Sequence, residues 1–246
     1  MYNRIQTVSI YTQAIEYQYQ NQQLKGYLVY PTPYIQPSAG LLMAPNWMGI
    51  KPSDIDIANE VAAQGYCVFL LDLYGKNRRP KDATQAGEWV SHIKNTEHEV
   101  GLLAAAHQAL LQQTYCKLDP QHIAAFGFCL GGHNVLEYAR SGAEIQAAIS
   151  FHGSLDSSGL YRMQQFKGSV LVLDGACDPL VPREQLQEFS EEMKETELDW
   201  QLISYGQTYH SFTEKTANEA GIKQYNEKSS KRAFQSMYEL LEDVFQ

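Results

Sequence analysis

The chain has 246 residues, 44% hydrophobic and 19% charged, with a net charge of −9. That balance is ordinary for a globular protein, and the length fits one large α/β unit, so a single domain spanning residues 1–246 is expected. The negative charge, with no Lys/Arg-rich run, argues against nucleic acid as the main partner. No stretch of eighteen apolar residues exists to cross a membrane, and the N-terminus has no apolar run like a signal-peptide core. The four cysteines, Cys67, Cys116, Cys129 and Cys177, are sparse and lack zinc-knuckle spacing. Free thiols in a reducing, cytoplasmic setting are the expectation.

In chain order, Val8 to Tyr11 and Leu24 to Tyr30 read as strands, the second closed by Pro31-Thr32-Pro33. Leu41 to Ala44 and Tyr66 to Leu71 are apolar at every position, as strands buried on both faces are. Between them Ser53 to Gln64 reads as a helix with Ser53 as N-cap. Thr96 to Gln113 is the clearest helix, with Val100, Leu103, Ala104, Leu110 and Leu111 on one face. A strand (Ile123 to Phe128), a helix (Leu130 to Ser141) and two strands (Ala147 to Phe151, Val170 to Asp174) follow. A helix (Arg183 to Lys194), a strand (Trp200 to Tyr205) and a final amphipathic helix marked by Phe234 to Phe245 complete the chain. This alternation predicts a mainly parallel central sheet with helices on both faces. In such sheets, functional groups gather at the carboxyl ends of strands.

Gly127-Phe128-Cys129-Leu130-Gly131 has the spacing G-x-S-x-G with Cys in place of Ser. A nucleophile held on a tight strand-to-helix turn needs small neighbours two residues before and after it. Gly127 and Gly131 meet that need, and Gly132 lets the helix pack closely. The helix N-terminus brings backbone N–H groups that favour a thiolate and can hold an oxyanion. Gly-rich helix starts are common and Cys is often only a small core residue. The strand before and the helix after favour the catalytic reading of Cys129.

Such a triad runs in the order nucleophile, acid, histidine. Asp178 lies in the loop after the strand ending at Asp174, which is its rival; the plainer role for Asp178 is a turn or cap residue. His210 follows the last predicted strand and is placed to accept the Cys129 proton. Of the other six histidines, His133 and His107 are expected to face the core or a neighbouring helix. His92, His98 and His122 are read as exposed, and His152 as either a pocket residue or a structural loop residue. No zinc-binding H-E-x-x-H, nucleotide-binding loop or calcium loop is present, so no metal or cofactor is implied.

These residues resemble the dienelactone hydrolase family along nearly the whole chain. The likeness rests on Ala44-Pro45-Asn46-Trp47-Met48-Gly49, Asp72-Leu73-Tyr74, Gly127 to Gly132, Ser150-Phe151-His152-Gly153, Asp174-Gly175 with Asp178, and His210-Ser211-Phe212. The resemblance implies an α/β-hydrolase fold, a Cys129–Asp178–His210 triad and an oxyanion hole from the N–H groups of Trp47 and Leu130. It implies cofactor-free hydrolysis of esters or lactones through an acyl-cysteine, with Asn46, Tyr74, Lys76 and His152 around the pocket. Three positions depart from the family pattern. Asn46 stands where family members carry a Glu that helps activate the thiol. Lys76 replaces one of two substrate-binding arginines, and Glu214 falls near the other with the opposite sign. Neutral substrates are therefore expected over carboxylated ones. Two other readings place a redox- or electrophile-responsive thiol protein, or a catalytically idle binding protein, on the same fold.

Overall fold

The computed structural model describes residues 8–33 and 37–246. The start of the N-terminal stretch inspected for a leader, residues 1–7, lies outside them. Two long opening strands, β1 (Ser9–Tyr19) and β2 (Gln22–Thr32), form an antiparallel hairpin. The all-apolar runs become β3 (Ser38–Ala44) and β4 (Cys67–Leu70). They are followed by β5 (Leu118–Phe128), β6 (Ala147–Phe151), β7 (Ser169–Gly175) and β8 (Trp200–Tyr205). The eight strands form one sheet in the order β1-β2-β4-β3-β5-β6-β7-β8. β3 to β8 are parallel, and β2 meets β4 antiparallel.

Alternate residues of each strand face opposite sides of the sheet, which divides the core into two layers. Leu42 and Phe69 pack with α3 (Glu97–Gln112) and α4 (Leu130–Arg140) on one face. Leu41, Met43 and Val68 pack with α1 (Pro52–Ala62) and α6 (Glu227–Val244) on the other. The other two α-helices among the described residues are α2 (Ala83–Ser91) and α5 (Arg183–Lys194). Thus the protein has the α/β-hydrolase type of fold, a mostly parallel sheet covered on both sides. No helix among the described residues is long and apolar enough to cross a membrane. All four cysteines are free.

The chain passes from β3 through α1 to β4 on one side, then returns to place β5 on the other side of β3. A crevice opens where the strand order reverses, beyond the carboxyl ends of the strands. Ala44 at the end of β3 pairs with Gly127 near the end of β5. The Pro45-Asn46-Trp47 turn and the Cys129 turn therefore leave the sheet side by side.

Several local expectations change. Ser53 does not cap α1; Lys51 holds that position, Pro52 opens the helix, and the Asp54 carboxylate accepts the Lys51 N–H at 2.7 Å. Proline suits the first helical turn because its missing N–H would have had no partner. β5 begins five residues earlier than its apolar run, because Leu118 and Asp119 pair with Ser38 and Ala39 before a register shift. α2 buries only Ala86 and so carries almost no apolar periodicity; its signal is Asp82, whose side chain accepts the Gln85 N–H. A short ribbon of β9 (Asn218–Glu219) and β10 (Lys223–Gln224) was also not anticipated.

Candidate active site

Cys129 sits between β5 and α4 with φ 54° and ψ −117°, a conformation that non-glycine residues rarely adopt. The close packing of its neighbours holds it there. A Cβ on Gly127 would lie 2.3 Å from the Gly131 carbonyl oxygen, and one on Gly131 would lie 2.2 Å from that of Ala44. The Cys129 N–H is tied to the Phe151 carbonyl at 3.0 Å. Leu130 is the first residue of α4, so its N–H has no carbonyl one turn behind it.

Across the crevice, the Asn46 side chain accepts the Met48 N–H at 2.9 Å and its carbonyl accepts the Gly49 N–H at 2.9 Å. This shapes the turn that carries Trp47. Tyr74 donates its hydroxyl to the Trp47 carbonyl at 2.5 Å, bracing the same turn. Burial, then the charge of Cys129, raises the Tyr74 pKa, so the hydroxyl stays a donor. Asp72 organises the loop presenting Tyr74: it accepts the N–H groups of Tyr74 and Gly75 and pairs with Arg79 at 3.1 Å.

Asp178 and Asp174 are sharply distinguished by their partners. Asp174 is held by Arg183 at 2.7 and 3.0 Å and by the Ser204 hydroxyl at 2.6 Å. Asp178 places Oδ2 2.7 Å from Nδ1 of His210. Its Oδ1 accepts the Leu180 N–H at 2.8 Å, so the turn role and the histidine contact coexist in one carboxylate. His210 is docked on both sides: its N–H donates to Ile222 and its carbonyl accepts from Gln224, next to the β9–β10 ribbon. Gly175 permits that approach, since a Cβ there would lie 2.6 Å from the Thr208 carbonyl oxygen.

His210 Nε2 is buried without a fully formed hydrogen bond, and the Cys129 sulfur is the group near it that acts on its charge. Burial works against a charged ring. The Asp178 hydrogen bond and the interaction with Cys129 outweigh it, and the pKa is pushed up to about 10. His152 packs edge-on against His210 with ring centroids 5.0 Å apart, and its Nε2 lies 2.9 Å from the Thr213 hydroxyl. Burial, then the charge of His210, holds the His152 pKa well below the usual range.

A groove of about 910 Å³ is lined by Asn46, Trp47, Cys129, Leu130 and His210, with Asp178 buried behind the histidine. The expected pocket residues separate into three groups. Asn46 reaches the groove, while Tyr74 and His152 support its walls from behind. Lys76 does not belong to it: the side chain is exposed, pairs with Glu16 at 2.7 Å and lines a separate surface groove with Tyr19 and His98. Its position after Gly75 (φ 114°) carries it out over the opening hairpin, where its N–H bonds the Gln23 carbonyl.

Glu214 does line the groove, but Lys51 neutralises it at 2.6 Å and Asn46 donates a long 3.4 Å bond to it. Lys51 was missed; its only local signal is the proline after it, which marks a helix start rather than a site. The other groove lysines are also paired, Lys94 with Asp156 at 2.7 Å and Lys223 with Glu219 at 3.0 Å. Of the remaining histidines, His107 is a satisfied core residue bonded to Tyr138 at 2.9 Å, and His133 is fully buried near Glu99 and Asp156. His92 is exposed, while His98 and His122 are half-buried.

A strained cysteine between a sheet strand and a helix, an Asp–His pair beyond later strands, and a crevice at the strand-order reversal define an α/β-hydrolase. The profile of the dienelactone hydrolase family matches residues 24–245. The chain belongs to that family of carboxylic ester and lactone hydrolases. It is 23% identical over 202 residues to a putative carboxymethylenebutenolidase of Yersinia pestis, covering 78% of this chain and 75% of that one. It is 26% identical over 185 residues to a probable 2-oxo-3-(5-oxofuran-2-ylidene)propanoate lactonase of a Bradyrhizobium species, covering 71% and 73%. A solved dienelactone hydrolase-like promiscuous phosphotriesterase from metagenomic libraries superposes with a TM-score of 0.88 at 27% identity, covering 96% of this chain and 98% of that one.

Proposed function

We propose that this protein hydrolyses small uncharged carboxylic esters or lactones through an acyl-cysteine on Cys129. The observation that carries this reading is the 2.7 Å Asp178–His210 pair presented to a cysteine on a strained turn. In this mechanism the Cys129 thiolate attacks the carbonyl carbon, and the carbonyl electron pair moves onto oxygen. The N–H groups of Trp47 and Leu130 hold that oxyanion. The intermediate collapses, the C–O bond breaks, and protonated His210 gives its proton to the departing alkoxide. His210 then takes a proton from water as hydroxide attacks the thioester. The acid leaves, and the thiolate and protonated His210 are restored. The docked His210 favours this reading over the idle one.

The preference for uncharged substrates follows from the groove's lysines, each of which has a carboxylate partner. A substrate carboxylate would have to displace an existing ion pair. An uncharged phosphotriester fits the same electrostatics, and the similar phosphotriesterase structure motivates it as a second substrate class. A panel of p-nitrophenyl acetate, neutral lactones, carboxylated lactones and a dialkyl aryl phosphate tests the proposal. Turnover of neutral esters that disappears in Cys129→Ala supports it. Wild-type rates in that variant, or a strong preference for carboxylated lactones, would overturn it.

A further inference from the structure

Glycine inside a helix is unfavourable relative to alanine, so one found there calls for a reason. For Gly101 in α3 the reason is steric, since a Cβ would collide with the Tyr19 ring. In α4, Gly131 and Gly132 pack against the Ala44 carbonyl and the Ser150 hydroxyl. Gly87, in the middle of α2, has no such reason. Its backbone is helical, and a Cβ there would meet no atom within 4 Å. The space it leaves open is in the catalytic groove, which Gly87 lines together with Val90. The two are three residues apart and so share one side of α2. Trp89 fixes the helix in place: its ring packs edge-on against Tyr74 with centroids 5.2 Å apart, and Arg78 lies 4.7 Å over it. Tyr74 in turn braces the turn that carries Trp47.

Much of the lining around that space is apolar. Trp47, Met48, Val90, Leu130 and Leu180 line the groove together with Cys129. Leu180 is 53% exposed, in the loop that carries Asp178. One exposed leucine is ordinary, but five apolar side chains in one groove beside a nucleophile suit the apolar part of a ligand. The groove lysines do not favour a charged chain end, because each already has its carboxylate. At about 910 Å³ the groove is also far larger than an acetyl ester fills.

We propose that Gly87 is a specificity-determining residue, kept without a side chain so that the groove admits an extended alkyl chain on an uncharged ester or lactone. This rests on the reading of the Cys129 groove as the hydrolytic site, and it narrows the substrate class from any neutral ester to one longer than an acetyl-sized group. A side chain at position 87 would take up the space that the chain needs.

The test varies both ends of the ester. p-Nitrophenyl hexanoate against the acetate extends the acyl side, and hexyl against methyl acetate extends the alcohol side. Fully burying one methylene is worth about fourfold, and a half-open groove recovers part of that. In at least one pair the wild-type protein is expected to favour the longer chain by about tenfold in kcat/KM. Gly87→Leu should bring that ratio close to one, and Gly87→Ala should lower it about threefold. Glu88→Leu, one residue on and outside the groove lining, should leave the ratio as in wild type. Because Gly87 has no structural neighbour, Gly87→Ala should raise Tm by about 2–4 °C. Calorimetry separates this proposal from the acyl-cysteine reading. Hexanamide keeps the chain and the carbonyl, and it should bind Cys129→Ala protein about tenfold more tightly than acetamide. Adding Gly87→Leu should remove that difference. Turnover that persisted in Cys129→Ala would overturn the nucleophile assignment, while hexanamide binding would still decide the role of Gly87. Equal kcat/KM within both ester pairs, a chain preference that survives Gly87→Leu, equal binding of the two amides, or a lowered Tm in Gly87→Ala would each overturn the proposal.

Discussion

The two walls of the catalytic groove differ in how tightly the structure defines them. On one wall, Cys129, Asp178 and His210 sit on a strained turn and in buried loops; the Cys129 backbone is tied to β6, that of His210 to Ile222 and Gln224, and the Asp178 N–H closes a turn on Gly175. On the other, Asn46, Lys51 and Glu214 form a partly exposed cluster whose charges cancel. The first wall is the one to which the proposed mechanism assigns acyl transfer. The second has changed residue type where family resemblance implies charged substrate contacts. If the proposed function holds, the contrast teaches that reaction type and substrate charge are set by different loops of one fold.

Four expected outcomes can break that comparison. Cys129→Ala should lower kcat/KM on activated esters by at least about 10³-fold, because no second nucleophile replaces the sulfur. Steady-state assays against a panel of esters check it.

Asp178→Asn should lower kcat by about 10²- to 10⁴-fold, since the ring loses both its orienting partner and its stabilising charge. It should also change stability with a defined pH dependence. The His210 pKa is raised in the folded state to about 10, above its ordinary 6.5. A raised pKa contributes stability that is full below 6.5 and is lost as pH climbs through about 10. The Tm gap between wild type and Asp178→Asn should therefore narrow between pH 7 and pH 10. A gap that widens would contradict the assigned ion pair.

Glu214→Gln tests the opposite wall. It leaves Lys51 without its carboxylate, so KM for carboxylated lactones should fall about five- to tenfold while neutral esters change little. An equal effect on both substrate classes would show that the wall acts on structure rather than on charge. The smallest effect is expected for Lys76→Ala. Lys76 pairs with Glu16 outside the groove, so kcat/KM should stay within about twofold for every substrate. A selective loss on carboxylated lactones would place Lys76 back in recognition.

The sequence was most readable where periodicity and special backbone geometry coincide. β6, α5 and β8 fall at the residues their patterns indicate. The Cys129 turn is legible because steric limits leave only glycine at 127 and 131. Asp178 could be ranked above Asp174 only by loop position and chain order; the bidentate Arg183 contact that occupies Asp174 is tertiary. Local patterns did not reveal α2, whose face is mostly exposed, or the β9–β10 ribbon, whose strands are two residues each. Lys76 was misplaced because resemblance gives a position in the chain, whereas the turn at Gly75 decides where the side chain goes. The Lys51–Glu214 pair joins residues 163 apart and leaves no local signal.

The central claim is that Cys129 carries the acyl group. Its most direct test is rapid acid quench of the wild-type protein during p-nitrophenyl acetate turnover, followed by intact mass measurement and peptide mapping. The account predicts one acetyl group on Cys129, appearing with the nitrophenol burst and absent from Cys129→Ala. Continued turnover with an unmodified Cys129, or acetylation that maps only to Cys177, would contradict it.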